Sequence, residues 1–519
     1  MKRYRVAIIV VISILLIILI ATFGLDYWVS KKLPGIINSD KDSAYHVVYR
    51  DIDVSLLSRN IFATDIVLVP KNAIDSKVTL PGLYAKVASV EISGFHIFDL
   101  IFTDKIKANS IQISTPEVIL YQPTDKAIND RKSIRSKVVE PFNKLVLVSE
   151  VEMQNGDFRI VQISNQKSIL HVANVSFKID GIAITDDILE QKIPFSFHKY
   201  DVQFDSLYYK PTGIHELRTG KFKTVNTELQ VENVSYLPLV SRAQFVQSLT
   251  TEKDFFSVKA KQIKIDSLNW GYRDEDFFFE AKELTITEPA ANIYRAKMPA
   301  DDLTKKPLYS KLLRDIPFFL KVKKLNLRYG TVEYEEEKSN DAGAGLLSFN
   351  GFNATIRNVS SGFKQSKLPD VNINVNCKFM NISPMNVKWS FNVLDKSDGF
   401  KIQGSILKFP AERLTPFIKP YMNVTADGML DKVYFNYSGN DNMVQGDLAL
   451  EYEHLKVNIL QKDRKKKNKF VSAIANIFVK KDTDDRLKET PVEVERIKEK
   501  SFFNLLWRTT LDGLKKLLI

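Results

Sequence analysis

Apolar and polar residues alternate along most of the chain after Asp40, with the two-residue period of a strand that buries one face. In the clearest case, asparagine and lysine separate five apolar positions, which we call the 371–379 stripe. The stripe consists of Val371, Ile373, Val375, Cys377 and Phe379. The pattern predicts a mainly β body over residues 41–460, built as an antiparallel sheet with short helical insertions.

Interruptions of the alternation predict turns and a few short helices. Asp398-Gly399 stands between alternating segments and is typical of a hairpin turn. The phase of the alternation changes across His454, which predicts a bulge or a turn at that point. Within the body, helical spacing is confined to Leu237–Leu249, Leu308–Asp315 and Ala411–Lys419.

A ten-residue pattern occurs four times, with apolar residues at positions 1, 3, 8 and 10 and Pro or Gly at position 6. The copies begin at Ile111, Val151, Leu284 and Leu325, so the first two are 40 residues apart and the last two 41. Pro or Gly at a fixed position favours a strand that bends, or two short strands that meet at a turn. The spacing predicts duplicated units that stack in a solenoid-like body, and chance recurrence is the alternative.

The N-terminal region carries the longest apolar segment. Val6–Leu25 is a run of 20 residues without a charged side chain, followed by Tyr27 and Trp28. A helix of this length can cross a bilayer, and aromatic rings settle at headgroup depth. A cleaved signal peptide is the alternative, but its apolar core is usually shorter and no small-residue cleavage site follows. We expect a cytoplasmic basic tail (1–5) and a single transmembrane helix (6–25) in the inner (cytoplasmic) membrane, with the bulk of the chain in the periplasm.

The net charge of +12 is concentrated at the two ends of the chain. Residues 1–5 carry three basic side chains, and residues 461–519 carry 16 Lys and Arg against 9 Asp and Glu. The remainder has 55 basic and 53 acidic residues and is nearly neutral. A nucleic-acid groove needs a continuous basic stripe, so we expect no nucleic-acid partner. Basic ends beside apolar segments suit anionic lipid headgroups better.

Residues 461–519 are predicted to form a basic, amphipathic helical tail. Lys465, Lys466 and Lys467 precede a short apolar run, and residues 501–518 place leucine and phenylalanine at helical spacing beside Trp507. Such a helix suits a membrane interface, where these three lysines and Trp507 would contact the surface. Alternatively, it docks over the end of the sheet and protects the last strand from edge pairing. The sequence leaves both alternatives open.

No combination of residues indicates catalysis or metal binding. Cys377 is the single cysteine, which excludes an intramolecular disulfide and a cysteine-built zinc site. The six histidines have no ligand-like spacing. Acidic pairs such as Asp274/Asp276 and Glu333/Glu335 could be imagined as glycosidase carboxylates, but exposed acids in strands and turns are far commoner. We therefore expect no enzymatic activity, no cofactor and no catalytic residue.

Together these features resemble the bacterial AsmA-like family, which is related to TamB and to the chorein-type bridge-like lipid transfer proteins. The resemblance lies in the basic tail and single span, the following hairpin Tyr49–Leu68, the repeated strands, and Phe409–Ile459 with its glycines between strands. The tail beyond Lys462 departs from the family pattern. The resemblance implies an elongated, curved sheet with an apolar concave face, and it supplies no catalytic residues.

The function expected from these observations concerns lipid. An amphipathic sheet must cover its apolar face, and the predicted helices are few. The face is therefore either a closed core or a groove open to acyl chains, and the resemblance favours the groove, with the 371–379 stripe as its lining. The leading hypothesis is an inner-membrane-anchored periplasmic protein of phospholipid transport or envelope maintenance, with membrane lipids and an outer-envelope protein as candidate partners. The alternative is a non-catalytic scaffold or assembly factor for outer-membrane proteins that carries no lipid.

Overall fold

The fold was obtained as a computed structural model, which describes residues 45–518 except 56, 74–78, 97–98, 100–104, 124–144, 186–195, 212, 274, 340–342, 460–482 and 484–485. The predicted transmembrane segment Val6–Leu25 lies outside these residues, as do Lys465, Lys466 and Lys467. Within the described part of the chain, no helix has both the length and the apolar composition needed to cross a membrane.

The chain divides into two compact units. Unit 1 extends to Thr212 and includes Leu217–Asn226, whereas unit 2 comprises Gly213–Glu216 and the residues from Thr227 onward. The strands up to the end of unit 1 are β1 (Tyr45–Val48), β2 (Asp51–Ser55), β3 (Asn60–Pro70), β4 (Gly82–Ser93), β5 (Lys105–Gln122), β6 (Leu145–Gln162), β7 (Ser168–Ile184), β8 (Lys199–Phe204), β9 (Ser206–Tyr209), β10 (His215–Thr219) and β11 (Phe222–Val225). In unit 1, β3 to β7 pair in sequence order, and β8 and β9 both pair with β7.

Among the residues that the structure describes, unit 2 contains the remaining strands and four α-helices. Its strands are β12 (Glu228–Pro238), β13 (Asp254–Asp266), β14 (Asn269–Arg273), β15 (Asp276–Thr287), β16 (Ala290–Ala296), β17 (Phe319–Glu337), β18 (Ala344–Ser360), β19 (Val371–Phe379), β20 (Ser383–Phe391), β21 (Phe400–Pro410), β22 (Val424–Gly439), β23 (Met443–Ile459) and β24 (Lys488–Glu495). Its helices are α1 (Arg242–Gln247), α2 (Tyr309–Arg314), α3 (Thr415–Met422) and α4 (Phe502–Leu518). Two 3₁₀ turns complete the elements of the described ranges, Lys71–Ala73 in unit 1 and Ala411–Leu414 in unit 2. The three short helices predicted within the body are thereby confirmed. Two have shorter bounds, and the third is a 3₁₀ turn followed by α3, which continues to Met422.

The strands form a mixed sheet, so the prediction of a purely antiparallel one is wrong. β5 pairs with β6 in parallel, and β17 pairs in parallel with both β15 and β16. Parallel neighbours need a long crossover, and residues 123–144 and 297–318 supply the two connections. Because the paired strands carry copies of the same repeat, equivalent apolar positions of the two copies lie side by side. Ile111 lies opposite Val151, and Leu284 lies opposite Leu325. The copies separated by 40 and 41 residues are thus neighbouring strands in register.

A bend occurs at the same place in every copy of the repeat. The residue before the Pro or Gly has a left-handed backbone, with φ of 48° at Thr115, 55° at Asn155, 50° at Glu288 and 59° at Tyr329. All four residues are exposed. One residue in this conformation shifts the alternation by one position, so apolar side chains before and after the bend share a face. The shared face is visible at Gly156, where an added Cβ would lie 2.9 Å from side-chain atoms of both Met153 and Phe158, the apolar residues on either side of the bend.

We expect the bend at Tyr329 to be a site of stored backbone strain. Tyr329→Asn should raise the free energy of unfolding by about 1 kcal/mol, because asparagine tolerates the left-handed region better than tyrosine. The Tyr329 side chain is 70% exposed, so its removal costs little packing. The measurement is urea unfolding, with Tyr329→Phe as the control that keeps the strain. A loss of stability in the asparagine variant would contradict the prediction.

Two further turn predictions are confirmed. Asp398 has φ of 56° and, with Gly399, precedes β21, which pairs with β20 in antiparallel orientation. His454 has φ of 51°, and the register between β22 and β23 shifts opposite it at Gly428. Both residues therefore mark places where the strand direction or the register changes.

The largest core lies in unit 2 on one face of β19 to β24. Val444, Leu448 and Leu450 have no exposed surface. Helices α3 and α4 contribute Phe417 and Leu505 to the same core. The position of α4 depends on Gly513, since a Cβ there would lie 2.6 Å from Cδ2 of Leu448. The helix backbone consequently approaches β23 and β24 closely and covers this end of the apolar face.

Candidate functional site

The 371–379 stripe lies on one face of β19, as the alternation predicts. Its five apolar side chains are buried or half-buried, whereas Asn372, Asn374, Asn376 and Lys378 are all exposed. Apolar residues of the neighbouring strands lie opposite residues of the stripe and extend its apolar surface. Val375, for example, lies opposite Ala354 of β18 and Val387 of β20. The stripe is thus one column of an apolar surface that extends across unit 2.

The N-terminal end of the 371–379 stripe belongs to a packed core. Val371 is 1% exposed and clusters with Phe391 and Phe400. Ile373 and Val375 are half-buried. At the other end, the ring of Phe379 packs against Phe349 and Phe409, with ring centroids 5.5 and 5.1 Å apart. Helices α3 and α4 supply residues that close this surface, among them Phe417 and Leu505.

Cys377 is buried in the stripe, and its surroundings determine its chemistry. The residue is 9% exposed, and burial raises the pKa of its thiol to about 11. The neutral thiol therefore predominates at neutral pH, and the thiolate that nucleophilic or redox chemistry needs is scarce. Cys377 acts here as a small apolar side chain.

The C-terminal helix docks on protein. Trp507 is half-buried, and its ring meets Phe417 edge to face at a centroid distance of 5.9 Å. Leu505 and Leu517 on the same helix are buried in the core of unit 2. Of the two alternatives for this segment, the structure shows the docked helix, packed on the face of β23 and β24.

A second apolar surface lies in unit 1, and positions 8 and 10 of the repeat form its centre. Side chains that lie directly opposite one another on adjacent strands form two rungs, which we call the half-buried rungs. The first consists of Leu68, Ala85, Val118, Phe158, Val172 and Leu207. The second consists of Leu83, Leu120, Ile160, Leu170 and Tyr209.

Every member of the half-buried rungs is intermediate in exposure, and none is fully buried. In the described part of unit 1, helical structure is limited to the 3₁₀ turn Lys71–Ala73 and the single residue Asp99. The contrast with unit 2 is direct, because Val444, Leu448 and Leu450 lie under α4 and are fully buried. With strands about 4.8 Å apart, the first rung extends about 24 Å across six strands.

Several acidic residues and His215 make structural contacts. Glu335 accepts two hydrogen bonds from Arg242, of 2.5 and 2.8 Å, and this guanidinium holds the pKa of the carboxyl below its usual range. Asp276 pairs with Lys364. His215 is buried and stacks on Tyr236. Among the described residues, no group of three or more His, Cys, Asp or Glu side chains is arranged to hold a metal ion.

Comparison with models of known protein families finds no match, and no curated protein matches the chain in sequence. The class of the protein is therefore defined by its own fold, a mainly β chain in two units with an apolar face in each.

Proposed function

We propose that the protein is anchored in the inner membrane and handles phospholipid on the apolar face of unit 1, in lipid transport or envelope maintenance. The observation that carries the proposal is the pair of half-buried rungs. Eleven side chains, all apolar except for the tyrosine hydroxyl, form a continuous surface and keep part of that surface exposed. Unpartnered apolar surface of this extent usually marks a binding site.

The dimensions of the rungs suit an acyl chain. One chain of a phospholipid covers about half of the roughly 30 Å hydrocarbon core of a bilayer. The first rung extends about 24 Å and would hold such a chain along its length. Each methylene group that leaves water contributes about 0.8 kcal/mol. A chain of many methylene groups would therefore bind without any specific polar contact, as expected for a site that lacks a charged centre.

The second part of the proposal is that an N-terminal apolar run and a cluster of lysines hold the protein at the membrane. The uncharged run Val6–Leu25 precedes the strands of unit 1 in the chain and would keep them at the membrane surface. Lys465, Lys466 and Lys467 add a positive charge that anionic headgroups attract.

The proposal predicts that a carboxylate within the rungs displaces bound lipid. Leu207→Asp should lower the amount of phospholipid that copurifies with the full chain by about tenfold, because desolvation of a carboxylate costs more than 1 kcal/mol. The matched control is Ser206→Asp. Ser206 is the adjacent, exposed residue of β9 and points to the opposite face. The lipid is extracted and quantified by mass spectrometry, and circular dichroism checks that both variants fold.

The experiment starts from isolated membranes, so it also tests the anchor. A wild-type chain found only in the soluble fraction would contradict the anchor. Equal lipid in the wild type and in both variants would contradict the rungs as the binding surface. Absence of copurifying phospholipid from the wild type would favour the scaffold alternative.

A further inference from the structure

The polar face of unit 2 carries a concave patch that the proposed lipid function does not use. The patch lies across β20 to β24, on the side of the sheet opposite the packed core, and encloses about 370 Å³. Pockets for small ligands usually enclose about 300–1,000 Å³ and are mostly apolar. This patch is instead lined largely by polar side chains, so its chemistry differs from that of a lipid site.

One aromatic ring and three amides define the patch. Tyr434 is 39% exposed and lies opposite Ser405 on β21 and Ala449 on β23, two residues with small side chains. Asn436 lies opposite Gln403, and Asn386 lies opposite Ser405. The pairing brings these amides onto the same face as Tyr434, within two strands of it.

Within the described ranges, the three amides make no side-chain hydrogen bond to the protein. The side chains of Asn386, Gln403 and Asn436 are exposed and have no hydrogen-bond partner among the described residues. Elsewhere in unit 2 an amide of the sheet is occupied, as Asn292 donates to both Glu333 and Glu335. Each free amide offers two donors and an acceptor.

We propose that this patch binds an uncharged oligosaccharide. A sugar ring presents an apolar face of C–H groups, which packs on an aromatic ring, and a rim of hydroxyl groups, which both donate and accept hydrogen bonds. Tyr434 supplies the ring, and the three amides supply matching donors and acceptors. Asp447 and Glu489 also line the patch against a single Lys388, so an anionic glycan would be repelled.

The size of the patch sets the length of the ligand. From β20 to β24 the patch extends over four inter-strand steps, about 19 Å. This distance exceeds the width of one sugar ring, so a chain of sugars fits better than a monosaccharide. The site lies on the opposite face from the apolar core, and it requires neither lipid nor the half-buried rungs.

The test is saturation-transfer NMR on the full chain in lauryldimethylamine oxide, a detergent without a sugar headgroup. The probes are cellotriose and the trimer of N-acetylglucosamine, which are uncharged, and a hyaluronan tetrasaccharide, which is anionic. We expect saturation transfer to at least one uncharged probe and weaker transfer to the anionic one. Transfer to neither uncharged probe, or stronger binding of the anionic probe, would overturn the proposal.

The variants separate stacking from a general loss of structure. Tyr434→Ala should weaken binding of the uncharged probe by about tenfold, while Tyr434→Trp should keep it. Tyr272→Ala is the matched control, because Tyr272 is also a strand residue and is also 39% exposed. Gln403→Ala and Asn436→Ala remove exposed amides without touching the ring, and each should weaken binding even if Tyr434→Ala fails to fold. Unchanged binding in the Tyr434→Ala or in both amide variants would refute the assignment.

Discussion

Leu505→Ala is expected to lower the free energy of unfolding of unit 2 by about 3 kcal/mol, the usual cost of truncating a leucine in a packed core. Leu505 is 1% exposed and lies on α4, where it joins the core formed by β19 to β24. The truncation removes buried apolar surface and leaves a cavity, because Gly513 already holds the helix backbone against Leu448. The helix therefore cannot move inward to fill the space.

The measurement is urea unfolding followed by tryptophan fluorescence. Trp389 reports on α4, since its ring stacks on Phe502 at a centroid distance of 4.7 Å. The matched control is Phe503→Ala on the same helix. Phe503 is 61% exposed, so its truncation should change stability by less than about 1 kcal/mol. If α4 were held by a membrane and not by the sheet, Leu505→Ala in the absence of lipid would leave the unfolding curve unchanged.

Arg314→Leu is expected to lower the free energy of unfolding by about 4 kcal/mol, because it leaves the carboxylate of Asp398 buried without its cation. Nη2 of Arg314 donates to Oδ1 of Asp398 over 2.7 Å, and Nη1 donates to the carbonyl oxygens of Val393 and Asp395. The side chains of Arg314 and Asp398 are only 20% and 6% exposed. Ser310 donates a further hydrogen bond of 2.8 Å to the same carboxylate oxygen.

Helix α2 provides an exposed ion pair for comparison. Lys311 and Asp315 lie 2.8 Å apart with side chains 48% and 56% exposed. Lys311→Leu should therefore cost less than about 1 kcal/mol. Replacing Asp398 by asparagine in the Arg314→Leu background removes the buried charge and should restore part of the loss. Equal effects of the Arg314 and Lys311 substitutions would show that burial does not set the strength of the Arg314 pair.

Several features of the fold follow from residues close together in the chain. The phase of the 371–379 stripe is set by alternation alone, because neighbouring side chains of a strand point to opposite faces. The bend of each repeat copy is likewise local, since Pro or Gly at position 6 follows a residue that takes the left-handed region. The positions of α1 to α4 were visible in the helical spacing of apolar residues.

The sites depend on residues far apart in the chain. Positions 8 and 10 of the repeat are apolar in every copy, and this recurrence was the sequence signal for the half-buried rungs. The repeat did not show that these side chains stay partly exposed. The Tyr434 patch gave no sequence signal, because Asn386, Gln403 and Asn436 are ordinary exposed residues on three separate strands.

By itself, the sequence determined the mainly β body, the apolar phase of each strand, the position at which each repeat copy is interrupted and the apolar N-terminal run, all of which depend on neighbouring residues. Only the tertiary structure decided that repeat copies pair in parallel, that α4 covers the core of unit 2, and that the rungs of unit 1 stay half-exposed. The physical reason is that pairing partners and covering elements are chosen by contacts between residues tens to hundreds of positions apart, where many arrangements satisfy the same local periodicity.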